Sequence, residues 1–200
     1  MTQSVKTYDE LVELLYLLDK AIERKYPESD LKVKLDVVGG FALMYHRLRI
    51  ANGSSRDIDA ANEISAWLWK TAYDIDGSNW LNDHASEVLV KLMPEVRDNM
   101  EFVKDCRYVF PYDHIELHIA SIETLFGMKL NALKIQMDQG FTLGSIERLQ
   151  DVTDSVEILA ALGIRDRSDF IKNFPKLGSF VSFASDDIFS HFGLFGGSRG

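Results

Sequence analysis

The 200-residue chain has a single cysteine, Cys106, and four prolines, and its 31 acidic residues outnumber 22 basic ones. One cysteine excludes a disulfide framework or a cysteine-built metal site within the chain. It also fits a reducing compartment, so a cytoplasmic protein is expected. The net charge of −9 argues against a broad basic face for nucleic acid, because such faces bind by neutralising phosphates with Lys and Arg. A polyanionic ligand would instead have to be met by metal ions or by a few well-placed cations. No uninterrupted apolar run approaches about 18 residues, which leaves no candidate membrane span and no expected membrane partner. The opening MTQSVKTYDELVELL lacks the basic segment and apolar stretch of a secretory signal. Internal repeats and low-complexity linkers are absent as well.

What is present suits one domain with a small appendage, since 46% of the residues are apolar. Thr7 and Glu10 have capping-box spacing, and Leu11, Leu14, Leu15 and Leu18 follow at helical intervals, which predicts a helix over 8–25. KVKLDVV (32–38) reads as a strand, 40–49 as a helix, RDIDA (56–60) as a short strand and 62–74 as a helix with Trp67 and Trp69 packed. EVRDNMEFV, CRYVFPY and HIELHIA have β-like runs separated by turn-prone residues, and Cys106 falls in the second of them as a buried residue. From Ser121 the pattern is helical: IETLFGMKLNALKIQMD, then 145–162 in one or two pieces, then RSDFIKNF. The fold expected is an α+β domain with a small mixed sheet flanked by helices, followed by a helical C-terminal part. The divisions are 1–120, 121–177 and a tail, 178–200, whose five phenylalanines suggest docking onto the chain's own body or onto a partner.

Chemistry concentrates in VVGGFALMYHRLRIANGSSRDIDA (37–60). A strand ending in Gly39-Gly40 and feeding a helix lets the backbone approach a ligand closely and presents N–H groups to an anion, although a plain tight turn has the same sequence. Asp57 and Asp59 share one face of a strand, where their carboxylates repel unless a cation or solvent lies between them. Mg2+ is bound by such carboxylates together with phosphate oxygens and water. Taken together, the glycine pair and the aspartate pair favour a metal–nucleotide site over an exposed strand edge. The later β-like runs carry further acids, Glu116, Asp113 and Asp105. His114, Glu116 and His118 alternate with Ile115, Leu117 and Ile119, so an exposed polar strand face explains them equally well, and a His–carboxylate metal trio is a further alternative. Trp80 is either core or a stacking surface for a base. Asn82 and Asp83 can cap the next helix.

The order of these motifs resembles the polymerase-β-type nucleotidyltransferase superfamily, and within it the bacterial nucleotidyltransferase-like toxins of type IV toxin–antitoxin and abortive-infection systems. The resemblance rests on Gly39-Gly40-Phe41-Ala42-Leu43, on Ser54-Ser55-Arg56-Asp57-Ile58-Asp59, on NWLND (79–83), on LFGMKLNAL (125–133) and on RLQDVTDSVEIL (148–159). It implies that Gly39 and Gly40, with Ser54, Ser55 and Arg56, would cradle a nucleoside triphosphate. Asp57 and Asp59 would hold Mg2+ or Mn2+ together with a third carboxylate from a later strand, Glu116 first, with Asp113 and Asp105 behind it. Lys129 would offset triphosphate charge, while Asp151 and Asp154 would orient Lys129 or an acceptor, and Arg148 would pair with either. The helical part over 121–177 would complete the nucleotide cleft. Gly53 stands where relatives carry an arginine, so Arg49 or Arg56 takes that role if any residue does. The implied activity is transfer of a nucleoside monophosphate from an NTP to an RNA such as tRNA, a protein or a small molecule, in growth control or phage defence, with an antitoxin as a partner. Two other readings stand beside it: a catalytically inactive nucleotide-binding regulatory module, and a protein-interaction subunit docking through its aromatic tail.

Overall fold

A computed structural model of the chain describes residues 5–27, 29–49, 53–104, 112–140 and 149–177. Residues 105–111, with Asp105 and Cys106, lie outside the described residues, as do Arg148 and the tail from 178. In chain order the elements are β1 (Lys6–Thr7), α1 (Tyr8–Lys25), β2 (Val33–Val38), α2 (Gly39–Tyr45), β3 (Ser54–Ser55), β4 (Ile58–Ala60), α3 (Ala66–Asp76), β5 (Leu81–Asn82) and α4 (His84–Leu89). They continue with α5 (Pro94–Arg97), β6 (Phe102–Lys104), β7 (Ile115–Ala120), α6 (Ile122–Asp138), α7 (Leu149–Ala161) and α8 (Arg167–Asn173), closed by a 3-10 turn at Pro175–Leu177. The protein is α+β. Its chain divides into two compact units, one of Met1–Lys91 with Phe102–Ser121, the other of Leu92–Glu101 with Ile122–Gly200.

The first unit is built on a five-stranded mixed sheet in the order β5-β4-β2-β7-β6. β2 runs parallel to β7 and antiparallel to β4, β4 runs parallel to β5, and β6 runs antiparallel to β7. Alternation along the strands separates two faces. Leu35, Val37, Ile58, Ala60, Ile115, Leu117 and Ile119 are buried on one, whereas Lys34, Asp36, Asp59, Glu116 and His118 line the other and stay partly accessible. α1 opens with the Thr7–Glu10 capping box, in which each residue's backbone N–H meets the other's side chain, and it buries Leu11, Leu15, Leu18 and Ile22 completely. Burying side chains of this size contributes about 1.5–3 kcal/mol each. Asp19, on the same helix and fully buried, accepts hydrogen bonds from the backbone N–H groups of His114 and Ile115, which ties the start of β7 to α1.

Three elements depart from the sequence reading. The helix expected from 62 begins at Ala66, because Asn62 extends the sheet with its side chain. Its Oδ1 accepts from Asp36 N and its Nδ2 donates to Lys34 O, while Ala61 N donates to Asp36 O. The helix expected to reach 49 stops at Tyr45, where Arg47 takes a left-handed φ of 60°. The EVR stretch, expected to be β-like, is the short helix α5, opened by Pro94 at its first position, which suits proline because the N–H it lacks has no helical partner there.

The second unit packs α5 to α8 and the 3-10 turn around Phe126, Phe170 and Phe174, whose ring centroids lie 4.9–5.6 Å apart. Gly127 on α6 admits Val96 and Leu177, since a Cβ there would stand 3.1 Å from each. Asn131 accepts from Met93 N and Thr124 from Glu101 N, so the segment 92–101 is held by side chains of α6. Among the described residues no helix is long and apolar enough to cross a membrane. Replacing Thr7 by Ala removes the cap of α1 and is expected to cost about 1 kcal/mol. Urea unfolding of the two proteins measures this, and equal midpoints would contradict it.

Candidate functional site

The site begins at the end of β2. Val38 pairs with Asp59 of β4, and the next residue, Gly39, turns the chain into α2 with a left-handed φ of 70°. A Cβ on Gly39 would collide with Asp59 Oδ2 and stand 3.2 Å from its Cγ, so the carboxylate lies directly against the glycine backbone. Gly40 leaves room for a similar close approach on its other side. A Cβ there would collide with Arg49 Nη1 and Ser55 Oγ and come 3.1 Å from Ser55 Cβ. Arg49 Nη1 donates to Ser54 O at 3.2 Å, and Ser54 and Ser55 form β3, held antiparallel against β1. Gly39, Gly40, Ser55, Asp59 and Arg49 are therefore one cluster. Arg56 is exposed on the approach to Asp57, and Gly53 is open to solvent.

Asp57 is half-buried, and burial together with the neighbouring Asp59 carboxylate pushes its carboxyl up to about 6. A hydrogen bond from Asn82 and the charges of Arg56 and His84 pull in the opposite direction without cancelling the rise. Asn82 was expected only as a helix cap. It is buried on β5, in register with Asp59, and its two polar atoms are divided: Nδ2 donates to Asp57 Oδ2 at 3.0 Å and Oδ1 accepts from His84 N at 3.1 Å. The signal for its first role was the short NWLND strand, but nothing local in the sequence says that this strand pairs with β4. Asp83 does not cap α4. Its Oδ2 accepts from Ile64 N instead. Trp80 is fully buried and donates from Nε1 to Ala72 O, so it packs the core and offers no stacking surface.

Glu116 stands elsewhere on the sheet. It is in register with Lys34 on β2, four residues before Val38, or about 13 Å along the strand, and β2 separates its own strand from β4. Its carboxylate takes His118 Nε2 at 2.7 Å and Lys104 Nζ at 3.2 Å, and these hydrogen bonds hold it below the usual carboxylate range. His118 Nδ1 lies 3.8 Å from Asp36 Oδ1, and Lys34 Nζ is 2.9 Å from the same oxygen. This balanced cluster of opposite charges brings Glu116 to His118 and Lys104 and does not bring it to Asp57 and Asp59. Asp113 is exposed, 3.5 Å from Lys20, and the His114 ring lies 3.2 Å from Leu31 O, so neither joins the pair. Among the described residues no group of three or more His, Cys, Asp or Glu is arranged to hold a metal ion.

In the second unit Lys129 Nζ lies 2.6 Å from Asp151 Oδ1 and 2.8 Å from Asp154 Oδ2. Asp151 and Asp154 are three residues apart on α7 and so share its face. Asp154 is fully buried and also accepts from Gln150 Nε2 at 2.8 Å. The two acids pair with Lys129 within its own unit. Breaking such a buried group by removing the ammonium costs more than the pairing itself is worth, because two carboxylates are left facing each other.

The raised Asp57 carboxyl fixes a sign. The folded state holds this proton more tightly than the unfolded chain, so its contribution is fully present below about pH 4 and is lost as pH rises toward 6. Above that, an ionised Asp57 opposes folding. Asp57→Asn should therefore stabilise the protein by about 1–2 kcal/mol at pH 8, a figure discounted for the part of the carboxylate that solvent reaches. The gain should shrink as pH falls to 4. Urea unfolding across that range measures it, and a pH-independent difference would contradict the account.

No protein-family model matches the chain, and neither the curated proteins nor the solved structures give a match.

Proposed function

We propose that the chain is a Mg2+- or Mn2+-dependent nucleotidyltransferase with a nucleotidyltransferase fold, transferring a nucleoside monophosphate from an NTP to an RNA, protein or small-molecule acceptor. The observation that carries the reading is the packing of the Asp59 carboxylate on Gly39, with Asp57 beside it and pushed up to about 6. Holding two carboxylates together at a chain turn is unfavourable unless a cation joins them. The donor set fits a magnesium-like ion, which takes one or two carboxylates and completes its shell with water and phosphate oxygens. When bound, such an ion supplies charge neutralisation at the phosphates and activates the attacking oxygen. Asp57 and Asp59 would hold it. The Gly39-Gly40 backbone, with Ser54, Ser55, Arg49 and Arg56 around it, would position the triphosphate so that pyrophosphate leaves as the acceptor oxygen attacks the α-phosphorus. Reactions of this kind depend on positioning and electrostatics more than on covalent help from the protein. Growth control or phage defence, with an antitoxin-type protein restraining the activity, is the setting that fits the motif order.

A second reading has its own support. Glu116 is engaged by His118 and Lys104, and the strand position beside Asp59 carries the neutral Asn82. Two carboxylates without a third among the described residues favour a module that binds nucleotide and does not turn it over.

Incubation with each α-labelled NTP, Mg2+, total tRNA and cell extract separates the two. The enzyme should transfer label from at least one NTP, and Asp57→Ala/Asp59→Ala should abolish the transfer. Tight Mg2+-dependent NTP binding without transfer would favour the regulatory module. Neither binding nor transfer would remove both readings.

A further inference from the structure

The Asp57–Asp59 pair has one neighbour that no motif assigned to it. β5 lies parallel to β4 with Asn82 opposite Asp59, and Asn82 is only 3% exposed. Both ends of its amide are committed. Oδ1 is fixed by His84 N at the first turn of α4, which turns Nδ2 toward Asp57 Oδ2 at 3.0 Å. Among the described residues Asn82 is the only hydrogen-bond donor to Asp57. One carboxylate oxygen is thus held and the other is left for a ligand. The amide is itself held by backbone, so the orientation of Asp57 depends on a strand pairing and a helix start, two rigid supports.

We infer that Asn82 is the positioning residue of this site, fixing the Asp57 carboxylate so that its second oxygen meets a divalent cation. The inference rests on the reading of Asp57 and Asp59 as cation ligands. Residues that hold metal ligands in place typically change metal affinity by about 10–100-fold when removed. A side chain that merely fills the strand would change affinity through any ligand equally, whereas a positioning residue acts through Asp57 alone.

Mn2+ affinity of the full chain, read by electron paramagnetic resonance, separates these. Asn82→Ala and the volume-matched Asn82→Leu should each weaken Mn2+ binding about tenfold. The same factor should appear when either is placed on Asp59→Asn, where Asp57 is the remaining ligand. On Asp57→Asn, where only Asp59 remains, neither should change the affinity further. Thermal unfolding checks that each variant folds, and the leucine variant serves if alanine leaves the strand too loose. Unchanged affinity in the Asn82 variants, or an equal loss on the Asp57→Asn background, would overturn the inference. A wild-type chain that binds no Mn2+ would overturn it too, by removing the cation site itself, and is told apart because the unmutated protein already fails.

Discussion

The contact between the Gly39 backbone and the Asp59 carboxylate is the constraint on which the first unit's polar end depends. It requires a residue without a side chain, in a left-handed conformation, directly after a buried strand. It also requires β4 to return antiparallel beside β2 so that Asp59 arrives opposite Val38. Gly40 then admits Arg49 and Ser55 from the following loop. Two adjacent glycines thus serve two different approaches, one by an acid and one by a cation with a hydroxyl. A turn needing only backbone freedom would not bring three polar side chains of the following loop and strand, Asp59, Arg49 and Ser55, onto the same pair of residues.

Charge is handled in three distinct ways along the chain. The exposed face of the sheet alternates signs, with Lys34, Asp36, His118, Glu116 and Lys104 meeting one another across strands. In the helical unit Lys129 is enclosed by Asp151 and Asp154. Asp57 differs from both, because a like charge stands beside it, a neutral amide is its hydrogen-bond donor and burial raises its proton affinity. Sites that shift a carboxyl by burial plus a like charge are candidates for ligand binding, since their cost in the empty protein is recovered when a cation arrives. That contrast, more than the number of acids, singles out this pair.

Local signals in the sequence were enough for the elements that local forces define. The capping box at Thr7 and the leucine spacing set α1 at Tyr8–Lys25, and the apolar spacing after Ser121 set α6 at Ile122–Asp138. The Gly39-Gly40 turn and the short strand at Asp59 were legible from the end of a hydrophobic run and the alternation around Ile58. Less legible were features set by pairing at a distance. Asn62 extends the sheet through its side chain and delays α3, which no helical periodicity shows. The sheet order places β2 between β7 and β4, so the alternation that put Glu116 on a polar strand face could not reveal which strand it would stand beside. Asn82 was visible as a cap, but its bond to Asp57 depends on a parallel pairing of residues 25 apart.

The measurement that tests the central claim most directly is calorimetric binding of a non-hydrolysable NTP in Mg2+ to the wild type and to Gly39→Ala. The alanine keeps both carboxylates, displaces Asp59 from its seat and strains the left-handed turn that holds it. The account predicts Mg2+-dependent binding by the wild type and a loss of about 10–100-fold in the variant, as expected when a metal ligand is disturbed. Equal binding by the two proteins, or wild-type binding that persists in EDTA, would contradict it.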